Sequence, residues 1–99
     1  MENQNNYKVL AVDDEQASLN AINRTLRKEF EVILSLNAQS ALEALKKEKI
    51  AVLLADQRMP GMTGVELFQK ALQIQPNAVR ILITGYTDIE ATNSPNRIG

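Results

Sequence analysis

The 99-residue chain has neither cysteine nor histidine. The first absence removes disulfides, thiol nucleophiles and zinc–thiolate centres; the second removes an imidazole base and imidazole metal ligation. Hydrolases that work through a serine–histidine or cysteine–histidine pair are therefore excluded. Aromatic side chains are few, and Tyr7, Phe30, Phe68 and Tyr86 are too scattered to build a base-stacking surface. An excess of one charge is also lacking: 12 acidic residues face 11 basic ones and the pI is near 5.4, so no basic field gathers phosphates and direct nucleic-acid binding is not expected. The longest uninterrupted apolar run, residues 50–55 (IAVLLA), is six residues long, whereas crossing a bilayer takes about 20. Residues 1–6 are polar and amide-rich. No membrane anchor or export signal is expected, and the cytoplasm is the default location. With 44% hydrophobic and 23% charged residues, the chain reads as one globular domain. A domain of this size hides roughly 60 to 70% of its unfolded surface, enough for a layered core.

The apolar pattern alternates between two periods. Residues 7–12 (YKVLAV) form a short run rich in β-formers that stops at Asp13-Asp14-Glu15, as a buried strand stops at its carboxyl-end loop. Over residues 16–29, Leu19, Ile22 and Leu26, with Phe30 just beyond, are spaced by three and four, which predicts an amphipathic helix. Asp14 and Glu15 precede it, where the helix dipole favours negative charge. Residues 31–36 (EVILSL) are a second strand. Ser40 and Glu43 fit a capping box for a second helix ending near Lys49. Residues 50–55 have the unbroken apolar character of a parallel strand covered on both faces and run into Asp56. Pro60-Gly61 marks a loop, and Thr63 with Glu66 caps a third helix that stops before Pro76. Residues 78–83 (AVRILI) predict a fourth strand leading into Thr84-Gly85-Tyr86. Thr87 and Glu90 start a fourth helix, cut to one or two turns by Ser94-Pro95. Four strands alternating with helices predict an α/β fold with a parallel sheet.

In such sheets ligands bind outside the carboxyl ends of the strands. Strand one delivers Asp13 and Asp14, strand three Asp56 and strand four Thr84, residues that folding would make neighbours across sequence gaps of 42 and 28 positions. Each has an ordinary reading when taken alone: an acidic helix-capping turn, a loop-start residue, a strand exit. Their joint appearance at three strand ends favours the functional reading. Clustered carboxylates raise one another's pKa unless a cation neutralises them, and oxygen-only ligation suits Mg2+. With that ion present, one carboxylate could act as nucleophile toward a phosphoryl group, with the Thr84 hydroxyl close by. Met59 and Met62 are read as loop packing, and the Lys46, Lys47 and Lys49 charges as a solvated helix end.

Three segments, VLAVDDE (9–15), LLADQRMPGMTGVEL (53–67) and ILITGYTD (81–88), resemble the receiver domain of bacterial two-component response regulators. The resemblance spans residues 7–92 in order and spacing and leaves residues 93–99 as a flexible tail. It implies that Asp56 accepts a phosphoryl group from the phosphohistidine of a sensor histidine kinase. It further implies that Asp14 and Asp56 ligate Mg2+ with the backbone carbonyl of Arg58, that Asp13 acts through water, and that Thr84 is the switch hydroxyl. On this reading the chain is a signalling module, not an enzyme, and its output domain or protein lies outside this chain.

The departure from the family pattern concerns the last elements. Receivers of this type have five strands in the order 2-1-3-4-5, whereas the sequence supplies about four. The expected fold is therefore a flavodoxin-like doubly wound parallel sheet in the order 2-1-3-4, incomplete for want of the fifth strand and helix. No lysine follows Lys70 to serve as the family's phosphate-binding cation, and Tyr86, two residues after Thr84, does not match its switch aromatic. Phosphorylation of Asp56 is accordingly expected to be slow or poorly stabilised, with Mg2+ binding retained. An open edge at strand four leads to the expectation of a homodimer through that edge. The rival expectation is that the residues from Asn93 onward come from a frameshift, an early stop or a cut chain. Two other functional classes stay open. A phosphatase with an aspartate nucleophile would need an acid where Arg58 stands and a cap domain for which there is no room. A non-phosphorylated protein-interaction module on a receiver scaffold is the main alternative.

Overall fold

The apolar runs form strands and the amphipathic stretches form helices in strict alternation. The structure, a computed structural model, describes residues 7–83. Its elements are β1 (Lys8–Val12), α1 (Gln16–Leu26), β2 (Glu31–Ser35), α2 (Ala38–Lys47), β3 (Val52–Asp56), α3 (Gly64–Ile74) and β4 (Val79–Ile83). The strands make one parallel sheet in the order β2-β1-β3-β4, as expected for the flavodoxin-like arrangement. The expected fourth helix, Thr84, Tyr86 and the tail at 93–99 lie outside the described residues.

Alternate residues of the central strands serve two layers. Leu10 and Val12 of β1 with Leu53 and Ala55 of β3 join Ala41, Leu42 and Leu45 of α2 and Leu67 and Ala71 of α3 in a single buried cluster. Val9 and Ala11 have the opposite parity and are also buried, together with Leu19 of α1, which covers that other face over β1 and β2. Met59 is buried in the α2–α3 cluster and Met62 packs against it, so both methionines are loop packing as expected. β3 is less evenly covered than its composition predicts: Leu53 and Ala55 are buried, but Val52 and Leu54 on the α1 side are only half-buried.

Three boundaries move for identifiable reasons. α1 ends at Leu26 rather than near Glu29, because the amides of Glu29 and Phe30 both turn back to the Leu26 carbonyl. α2 starts earlier than the Ser40–Glu43 pattern implied. Its cap is Asn37, whose side chain accepts the Ser40 N–H at 2.8 Å, which leaves Ser40 in the first turn with its hydroxyl on that of Ser35. Helix α2 ends at Lys47, and the positive charges of Lys46 and Lys47 lie in its last turn. β3 begins at Val52 rather than Ile50: the Ile50 N–H is taken by the side chain of Gln75, and the first bonds to the neighbouring strands are those of Ala51, to Lys8 and Val79. The Thr63–Glu66 capping box of α3 forms in full: the Glu66 N–H donates to Thr63 Oγ1 at 3.1 Å and the Thr63 N–H to Glu66 Oε1 at 2.9 Å.

A candidate metal and phosphoacceptor site

Register determines where the acids sit. Val12 of β1 pairs with Ala55 of β3, so Asp13 and Asp56 leave adjacent strands at the same level of the sheet. Asp14 follows directly at the mouth of the loop to α1. One carboxylate oxygen from each of Asp13, Asp14 and Asp56 lies within 4.8 Å of the other two. The three acids differ in exposure: Asp13 is buried at 7%, Asp56 is half-buried and Asp14 is exposed.

Asp13 is fixed at both ends. Its N–H donates to the Ser35 carbonyl of β2 at 3.1 Å, and its carboxylate accepts the Glu15 N–H at 3.0 Å. Burial pushes its pKa above the ordinary carboxylate value, the Glu15 N–H pulls the other way, and the charges of Asp56 and Asp14 add to the rise. A carboxylate held in this condition is an unfavourable resident of the fold by itself and a favourable one beside a cation.

The donor set fits a hard divalent ion. Mg2+ holds oxygens at about 2.0–2.1 Å in an octahedron, which places opposite ligands about 4.2 Å apart. Neighbouring ligands stand only about 3 Å apart, so oxygens lying within 4.8 Å of one another close in to share the ion or reach it through a bound water. Arg58 is exposed on the loop just after β3. Of the residues singled out from the sequence, Asp13, Asp14 and Asp56 are thus brought together, Arg58 is nearby in the chain, and Thr84 lies outside the described residues.

Gln57 and Gly64 matter more than the sequence indicated. The Gln57 carbonyl accepts the Gly64 N–H at 3.2 Å, and its side-chain oxygen accepts the Val65 N–H at 3.1 Å. Gly64 is buried where a Cβ would meet the Asp56 carbonyl oxygen and the Leu82 side chain, each at 2.7 Å. The loop between them turns at Gly61, whose φ of 84° favours glycine. The Pro60-Gly61 pair signalled that turn. Nothing local signals a glutamine that caps a helix eight residues away.

A family model for the response regulator receiver domain matches residues 9–97. The chain is 48% identical over 82 residues to the hydrogenase transcriptional regulatory protein HoxA of Cupriavidus necator, covering 83% of this chain and 17% of that protein. It therefore spans less than a fifth of that relative. Among solved structures, a CheY-like response regulator receiver domain protein from Methanospirillum hungatei JF-1 superposes with a TM-score of 0.79 at 32% identity, over 88% of this chain and 70% of that one. A response regulator protein from Burkholderia pseudomallei, solved with a phosphorylated aspartic acid, a calcium ion and citrate, gives a TM-score of 0.75 at 26% identity, over 82% of this chain and 48% of that one.

Proposed function

The chain belongs to the response regulator receiver domain family, and we propose that it accepts a phosphoryl group on Asp56 from the phosphohistidine of a sensor histidine kinase. The observation that carries this reading is the trio of carboxylates at the ends of β1 and β3, one of them the final residue of its strand. In the transfer, an Asp56 carboxylate oxygen forms a bond to phosphorus while the phosphorus–nitrogen bond of the donor breaks. The electron pair of that bond returns to the imidazole and an acyl phosphate remains on the protein. Asp14, Asp56 and the Arg58 carbonyl hold Mg2+ in this reading, with Asp13 acting through water. When bound, the ion neutralises the clustered carboxylates and the oxygens of the transferring group. Thr84 is assigned the switch hydroxyl. The output domain or protein, the sensor kinase and a cytoplasmic location belong to the same proposal. Among the described residues, no helix is long and apolar enough to cross a membrane.

The test is intact-mass analysis after incubation with Mg2+ and acetyl phosphate. The expected result is a gain of one phosphate that requires Mg2+ and disappears in Asp56→Asn. Uptake that survives Asp56→Asn, or no uptake at all, would contradict the assignment.

A second reading concerns partners. Val79, Ile81 and Ile83 are exposed along one side of β4, at 55, 45 and 37%. We assign this apolar row to contact with a second copy of the chain. Sedimentation across a concentration series checks it: the expected outcome is a mass that rises with concentration and returns to that of a monomer in Ile81→Lys.

A further inference from the structure

Resting on the reading of Asp56 as phosphoacceptor, we infer that Gln57 is a positioning residue that ties the reactive carboxylate to the first turn of α3. A helix start has N–H groups with no partner inside the helix, and these must be satisfied from outside. In α3 the accounting is complete, and half of it falls on one residue. The Gly64 N–H goes to the Gln57 carbonyl and the Val65 N–H to the Gln57 side chain, while the Glu66 N–H goes to the Thr63 hydroxyl and the Thr63 N–H to the Glu66 carboxylate.

Gln57 is also the first residue beyond the ladder that holds β3, in which Asp56 is paired with Ile83 of β4. Among the described residues, the pairing of β3 with β4 ends there, and the peptide following Asp56 is held by contacts outside that ladder. The two hydrogen bonds to α3 supply that grip from two directions, one through the main chain and one through the side chain. Gly64 makes the grip close, because the helix starts against the Asp56 carbonyl at a distance that admits no Cβ. The reactive residue is thereby clamped between a sheet on one side and a helix terminus on the other. The clamp uses no side chain of the acidic trio, so Gln57→Met alters it without changing the site's charge, whereas Gln57→Glu keeps an acceptor and adds one negative charge beside the trio.

Two variants separate positioning from simple folding. Gln57→Met keeps length and apolar contact but removes the acceptor for the Val65 N–H; Gln57→Glu restores an acceptor. In the metal-free protein, Gln57→Met is expected to speed amide exchange at Val65 and shift the Asp56 amide resonance, with Gln57→Glu returning both toward wild type. In the phosphorylation assay at saturating Mg2+ and acetyl phosphate, Gln57→Met is expected to lower the rate constant about tenfold or more, the scale set by small misplacements of a reacting group. Gln57→Glu should recover most of that loss, and the midpoint for Mg2+ should move less than the rate. Equal loss in both variants, an unchanged rate in Gln57→Met, or an unmoved Asp56 resonance overturns the proposal. Failure of the parent reading looks different: wild type takes up no phosphate, yet the Asp56 resonance still moves in Gln57→Met and is restored in Gln57→Glu, which upholds the tie and rejects only the phosphoacceptor role.

Discussion

The two ends of the sheet are built on opposite principles. At the amino end the charged and amide side chains that link neighbouring elements are matched with partners. Lys8, at the start of β1, pairs with Glu48 at 2.6 Å, and Gln75 donates to the Leu45 and Glu48 carbonyls at 2.7 and 2.6 Å while accepting the Ile50 N–H at 2.9 Å. At the carboxyl end, three like charges face one another and one is buried. One end contributes stability, and the other holds a cost that only a cation relieves. Unfavourable electrostatics confined to one edge of a fold are the mark of a binding site, because folding by itself gains nothing from them.

The comparison can be broken first at the amino end. Gln75→Ala strips partners from one amide and two carbonyls in a half-buried connection, and it is expected to destabilise the protein by about 2–3 kcal/mol in urea unfolding while leaving Mg2+ binding in place. At the carboxyl end, Gly64→Ala forces a Cβ against the Asp56 carbonyl and the Leu82 side chain. A loss of about 1–2 kcal/mol follows, accompanied by slower phosphate uptake, since the clash moves the reactive residue itself.

Asp13→Asn sharpens the contrast, because here removing a native charge is expected to help. A raised carboxyl pKa means that the folded state holds its proton more tightly than the unfolded chain. Metal-free stability therefore falls as pH rises from the ordinary value of 3.8 through the raised one, and stays lowered above it. Asn keeps an oxygen for the Glu15 N–H and carries no charge. The variant should be more stable than wild type by about 0.5–1 kcal/mol at neutral pH without metal, with the advantage vanishing below the carboxylate range. A variant less stable than wild type at neutral pH would show that the carboxylate of Asp13 supports the fold.

Much of this arrangement was legible in the residues. Period-three and period-four spacing located α1, unbroken apolar runs located β1 and β3, and the strand-end rule brought Asp13, Asp14 and Asp56 together, because in a parallel sheet the ends of neighbouring strands lie side by side. The Thr63–Glu66 box was legible for the same reason: its partners are three residues apart. The Ser40–Glu43 pattern was equally good on paper, but Asn37 stands three residues before Ser40 and satisfies the same amide. Local rules do not rank two suitable caps. Gln57 and Gln75 were not legible at all. Their partners lie 8 and from 25 to 30 positions away, and only the packed α3 brings them within reach.

The claim on which the account depends is that three strand-end carboxylates share one divalent cation. Calorimetric titration of the metal-free protein with Mg2+ tests it directly. Wild type is expected to bind one ion, with affinity weakened by at least about tenfold in each of Asp14→Asn and Asp56→Asn. Binding that is absent in wild type, or unchanged in both variants, would contradict it.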